Sequence, residues 1–176
     1  MNAPWIASAR LSPLNSPLST LNAVFRLNYL ILIGHIDVLP RLFGKLLVPP
    51  AVIREMRHPK APAAVALWTA SLPAWIEVRA PQTDLHLGLG AGEDEAISLA
   101  VELRDAALLM DDRKARAAAE GRGLLTIGTI AILDLADEAG LLDFESAITL
   151  LQSTTFHVEA TLLQPVLAKV RARKRP

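Results

Sequence analysis

Short apolar runs alternate along this chain with segments whose apolar positions recur at helical spacing. Residues 21–25 make a first run of strand length, and 27–39 read as a core helix closed by Pro40. The apolar run 46–48 stops at Pro49 and Pro50, and Pro50 then opens a helix over 51–58 in the position that proline tolerates best. A helix over 61–71, an alternating strand over 75–78, a glycine-rich loop over 88–92 and a helix over 93–104 follow. Residues 106–110 are apolar throughout, as a parallel strand buried on both faces requires. The pattern then predicts a helix over 113–120, a strand over 124–127, and helices over 130–139 and much of 144–170. Strands alternating with helices predict one α/β domain, with a mainly parallel central sheet and helices on both faces. Residues 1–20, with three prolines among serines and asparagines, are predicted to be irregular. The domain runs over 21–170, and 171–176 form a basic tail.

Composition narrows the field. A chain of 176 residues that is 52% hydrophobic and 20% charged has material for one full core. The absence of cysteine excludes disulfides, zinc–thiolate sites and thiol nucleophiles, and it suits a reducing, cytoplasmic setting. Eighteen basic and eighteen acidic residues cancel, so no net field draws the protein to nucleic acid or membrane. The charges are unevenly spread: no Asp or Glu precedes Asp37, while Lys169, Arg171, Arg173, Lys174 and Arg175 crowd the end. That end reads as a solvated, frayed terminus. The longest apolar run, 27–36, is broken by Asn28, Gly34 and His35 and falls short of the roughly 20 residues a membrane span needs. No signal peptide is read at the start.

Candidate chemistry lies in the acids. Asp111 and Asp112 follow the apolar run that ends at Met110, which puts them at the carboxyl edge of the sheet, where open α/β folds build their sites. Successive strand residues face opposite ways, so one of the two is expected in a site and the other as the cap of the helix beginning at Arg113. In the helix 93–104, Glu93 shares the stripe of Ala96, Ile97, Ala100 and Leu103, whereas Asp94 and Glu95 lie off it. Complementing the helix dipole accounts for Asp94 and Glu95, but less well for a carboxylate on the buried stripe. Glu55 flanks the apolar stripe Val52, Ile53 and Met56 of its helix. Carboxylates gathered at one sheet edge repel one another unless a hard cation such as Mg²⁺ or Mn²⁺ holds them. Carboxylates, cation and water together suggest phosphodiester hydrolysis.

Other chemistries fit less well. The four histidines (His35, His58, His86 and His157) lack metal-ligand spacing and read as structural or surface residues. The glycines of 88–92 miss both the Gly-Lys-Ser/Thr ending of a phosphate loop and the dinucleotide fingerprint, and no nucleophile elbow is present. A receiver-like signalling domain also has a strand ending in two acids. It needs a phospho-accepting Asp after a later strand, and the strand 124–127 ends in Gly128 and Thr129.

The segments LNYLILIGHIDVLP (27–40), LVPPAVIREM (47–56), LGLGAGEDEAISLA (87–100), LLMDDRKAR (108–116) and IGT (127–129) together resemble the PIN-like proteins of the DUF3368 family. The resemblance implies a three-layer PIN fold and a Mg²⁺- or Mn²⁺-dependent ribonuclease. It further implies RNA as substrate, an antitoxin protein as partner in a toxin–antitoxin pair, and a homodimer. By position, Glu55 matches the family's early-helix acid. Glu93, with Glu95, matches the mid-chain acid, and Asp111 or Asp112 matches the acid after the following strand. Glu55, Glu93 and Asp112 are thereby candidate catalytic residues, with Glu95 and Asp111 added as metal ligands. One departure stands out. The family carries an Asp at the end of its first strand, in a DTSP-like element, where this chain has AVFR (23–26). That absence supports an alternative, a PIN relic without catalysis that acts through antitoxin binding or self-association.

Overall fold

The computed structural model describes residues 20–21, 27–104 and 107–174. The irregular segment expected before residue 20, most of the strand expected over 21–25, and Ala23 itself lie outside the described residues. The first described strand is β1 (Thr20–Leu21). The helix expected over 27–39 is instead two, α1 (Leu27–Leu32) and α2 (Val38–Phe43). Gly34, at φ +73°, ends α1. Its own N–H bonds to the Ile31 carbonyl and the His35 N–H reaches back to Leu30, a Schellman termination. Pro40 therefore ends no helix. It sits in the first turn of α2, where no intrahelical partner for its missing N–H is required.

The pattern of β2 (Lys45–Val48), α3 (Pro50–Met56), α4 (Ala63–Ala70) and β3 (Ile76–Val78) follows the predicted order, with Pro50 in the first turn of α3. Then come α5 (Ala91–Leu103), β4 (Ala107–Leu109), α6 (Arg113–Glu120), β5 (Leu125–Ile127), α7 (Thr129–Glu138), α8 (Phe144–Gln152) and α9 (Ala160–Lys174). All described strand pairs are parallel. β2 pairs with β1 on one side and with β3 on the other, while β4 pairs with β5 through Leu108 and Thr126. Among the described residues the hydrogen bonding makes two sheets, β1-β2-β3 and β4-β5, and β1 passes within 8 Å of β4 between Cα atoms. The fold is thus mixed α/β with parallel strands joined through helices.

The core is where the apolar pattern places it. Leu46 and Val48 of β2, all of β4, Met110, and Ile97 and Leu99 of α5 have no accessible surface or almost none. Each large side chain so buried stabilises the fold by about 1.5–3 kcal/mol before entropy is charged against it.

The chain's end departs most from expectation. Residues 171–174 are not a solvated tail but the last turn of α9, which buries Leu163, Val166 and Val170 on one face. Arg173 bridges Asp134 (3.1 Å) and Asp137 (2.5 Å), Lys174 bridges Asp137 (2.7 Å) and Asp143 (2.6 Å), and Lys169 reaches Asp134 (2.7 Å). Arg171 makes a two-pronged contact with Glu145 at 3.0 and 2.9 Å. These acids lie in or just before α7 and α8, so ion pairing fastens α9 across both helices. No helix among the described residues is long and apolar enough to cross a membrane.

Candidate active site

A parallel strand followed by a helix that returns antiparallel to it puts helix N-termini at the carboxyl edge of the strands. Three such N-termini carry the predicted acids here: those of α5, α6 and α7. Each helix begins with unsatisfied N–H groups that attract carboxylates.

At α5 the N-cap is Gly90, in extended conformation and without a side chain to offer. Glu93, at the third helical position, folds back so that its Oε2 accepts the Gly90 N–H at 3.0 Å. This is one half of a capping box. The other half comes from a different helix. Glu55 Oε1 of α3 accepts the N–H of Gly92, also at 3.0 Å, which is the role an N-cap side chain ordinarily plays. The two carboxylates flank Gly90, since a Cβ built there would lie 3.5 Å from Glu93 Oε2 and 3.9 Å from Glu55 Oε1. Their remaining oxygens, Glu55 Oε2 and Glu93 Oε1, have no hydrogen-bond partner among the described residues.

Glu95 returns the contact. Its Oε2 accepts the N–H of Ala51 in the first turn of α3 at 2.8 Å, and its Oε1 binds Arg54 Nη2 at 3.0 Å. Helices α3 and α5 thus each lend a carboxylate to the other's N-terminus, and Glu95 is spoken for by backbone and guanidinium. Asp94, which the helical stripe left outside, is the most buried acid of the three at 9% exposure, and its Oδ1 accepts the Leu89 N–H at 3.2 Å. The stripe misjudged it because α5 is buried on more than one face, from Ala96 through Ala100.

The two aspartates after β4 both act as caps. Asp112 is the N-cap of α6, its Oδ1 accepting from the N–H groups of Lys114 and Ala115 at 2.9 Å each. Asp111 takes the start of α7, accepting the Thr129 N–H at 2.8 Å and the Thr129 hydroxyl at 2.7 Å. Gly128 leaves room for this arrangement. A Cβ there would stand 3.2 Å from Asp111 Oδ1 and 3.3 Å from Arg116 Nη1, tighter than side chains normally tolerate.

The structure therefore brings Glu55 and Glu93 together and gives Glu95, Asp111 and Asp112 separate partners. Among the described residues no three of His, Asp and Glu stand close enough to share one metal ion. Beside Glu55 opens a cleft of about 470 Å³ whose wall includes Asn28, Arg54, His58, Lys60 and Ala91. None of these residues was expected in a site, and His58 was read as a structural or surface residue. The available signal was Arg54 and His58, four positions apart and both exposed, one in α3 and the other just past its end.

Parallel strands, crossover helices and carboxylates at the strand-end helix termini define a mixed α/β fold with an acidic strand edge. The model of the DUF3368 family, described as a PIN domain, matches residues 24–172, and the chain belongs to that family. No curated protein and no solved structure matches the chain.

Proposed function

We propose that this protein is a metal-dependent ribonuclease that hydrolyses RNA phosphodiesters beside Glu55 and Glu93, its two sheets forming one central sheet in a three-layer PIN fold. The observation that carries the reading is the convergence of Glu55 and Glu93 on Gly90, each with one oxygen left unbonded among the described residues. That pair does not fit a cage of three carboxylates. It does fit Mg²⁺ or Mn²⁺ as these ions meet phosphate substrates, through one or two carboxylates, retained waters and the substrate's own oxygens. The bound ion supplies Lewis acidity and a water of lowered pKa. Glu55 and Glu93 bind and orient, and Asp111 fixes the adjoining start of α7. The same reading takes the protein as a cytoplasmic toxin with an antitoxin partner, working as a homodimer.

The test uses purified protein and end-labelled RNA with Mg²⁺, Mn²⁺ or EDTA. Cleavage is expected only with a divalent ion, and Glu93→Gln, which keeps an acceptor for the Gly90 N–H, is expected to lower it by about 10²-fold or more. Cleavage in EDTA, or full activity in the variant, refutes the proposal. The family's first-strand acid has no counterpart before Asp37, and this favours a second reading, a PIN relic that binds without cleaving. A chain that takes up no Mn²⁺ in calorimetric titration and leaves RNA intact, yet self-associates or binds an antitoxin, would support it.

A further inference from the structure

The segment between β3 and α5 has no ladder of its own. Among the described residues, no N–H from 80 to 90 reaches a backbone carbonyl. Its bonds come instead from side chains of α5. Glu102 Oε1 accepts the N–H groups of Gln82 and Thr83 at 2.7 and 2.9 Å. Ser98 Oγ accepts the Leu85 N–H at 3.0 Å, and its hydroxyl is aimed by donating to the Asp94 carbonyl at 2.6 Å. Asp94 Oδ1 takes the Leu89 N–H, and Glu93 Oε2 the Gly90 N–H. Asp94, Ser98 and Glu102 stand four residues apart, so they form one row of about 12 Å along a face of the helix. Residues 82–89 lie along that row as a strap, antiparallel to α5 and leading into Gly90.

Little else seats the strap. Leu87 and Leu89 are half-buried against the core, while residues 82–86 are all exposed. His86 is held at φ +47°, a left-handed conformation that an L residue leaves readily once its neighbours are released. A segment with few apolar contacts and side-chain rungs opens locally rather than with the whole fold. Its last two bonds are on adjacent amides. Lifting the strap past Leu89 therefore draws Gly90 away from Glu93, and the two carboxylates that flank this glycine lose their common reference point. We propose that residues 82–89 open and close as one unit with Gly90. Ser98 and Glu102 are then positioning residues for Glu93, acting on it through the strap. The proposal rests on the ribonuclease reading only for the use made of Glu93, and its test needs neither RNA nor metal.

Full-length protein in EDTA is treated with a trace of chymotrypsin, which cuts after leucine, and the nicks are located and timed by mass spectrometry. A protease cleft takes up a few residues on each side of the bond it cuts. Cutting between Leu89 and Gly90 thus requires the end of the strap to open, but not Gln82 or Thr83. Glu102→Ala removes only the far rung. It is nevertheless expected to speed that cut roughly fivefold, together with the cuts after Leu85 and Leu87. Ser98→Ala is expected to speed the same three. Glu102→Gln keeps an acceptor and is expected to be cut at the parental rate, and Glu102 is exposed, so neither of its variants disturbs the core. In the parent protein the three rates are expected to rise with urea less steeply than global unfolding does. A cut after Leu89 that Glu102→Ala leaves unmoved, a glutamine variant cut as fast as the alanine one, or a urea slope equal to that of global unfolding overturns the inference. A strap that behaves as expected in a chain that never cleaves RNA upholds it and refutes the ribonuclease reading alone.

Discussion

Asp137→Ala removes a carboxylate that three donors share. The side chain is only 2% exposed, and it accepts the Phe144 N–H at 2.9 Å, Arg173 Nη2 at 2.5 Å and Lys174 Nζ at 2.7 Å. Burial alone would raise its pKa. The hydrogen bonds from Lys174, from the Phe144 N–H and from Arg173 outweigh that and hold the carboxyl below its usual range. Alanine leaves the Phe144 N–H buried without an acceptor, at about 2 kcal/mol. The two cations are partly solvated, at 26% and 41% exposure, and keep Asp134 and Asp143 as partners. Their loss is therefore discounted to about 1 kcal/mol in all. The sum, about 3 kcal/mol, corresponds to a fall in Tm of roughly 6–12 °C for a domain of this size. Asp137→Asn keeps an acceptor for the Phe144 N–H and loses only the charge, so about 1 kcal/mol and roughly 2–4 °C are expected. Thermal melts followed by far-UV circular dichroism read both variants. An alanine variant that melts within about 2 °C of the parent, or an asparagine variant equally damaged, refutes the view that this carboxylate fastens α9.

Two more predictions follow from the same kind of accounting. The Lys174 ammonium and the Ser146 N–H hold Asp143 down to about 2, and Asp137 is lowered as well. Depressed carboxyl groups support the fold fully above the unfolded carboxyl range, so the urea midpoint is expected to stay level down to about pH 4 and to fall from there toward pH 2. A midpoint that stays level to pH 2 contradicts this. Asp112→Ala is expected to cost about 1 kcal/mol in urea unfolding through the lost cap of α6, with cleavage per folded molecule unchanged. Loss of cleavage at full stability would place Asp112 in the active site.

Much of the architecture was legible because it rests on local chemistry. Pro50 opens α3, Asp112 caps α6, and the continuous apolar run before Met110 is a fully buried strand, each for reasons contained in a few adjacent residues. What escaped depends on partners distant in sequence. The basic residues of α9 looked like a solvated end because the acids that bind them lie 26 to 39 positions earlier. The break between α1 and α2 turned on the left-handed conformation of Gly34, which an apolar run on both sides concealed. In the candidate site, Glu55 and Glu93 were visible as acids of suitable phase. Their meeting was not, since it is made through the N–H of Gly92, 37 positions after Glu55. Of Asp111 and Asp112, expected to divide into a ligand and a cap, Asp112 is the cap of α6, and Asp111 also holds the start of α7, a partner 18 positions on.

The exchange of carboxylates between α3 and α5 has a thermodynamic corollary. Glu55 keeps the Gly92 amide from water and Glu93 does the same for Gly90, so the first turn of α5 stays closed only while both side chains remain in place. A species that binds through the remaining oxygens leaves both bonds in place and so favours the closed helix end. Site occupancy and fraying of α5 are then two faces of one linked equilibrium, and amide exchange at Gly90 and Gly92 becomes its built-in gauge.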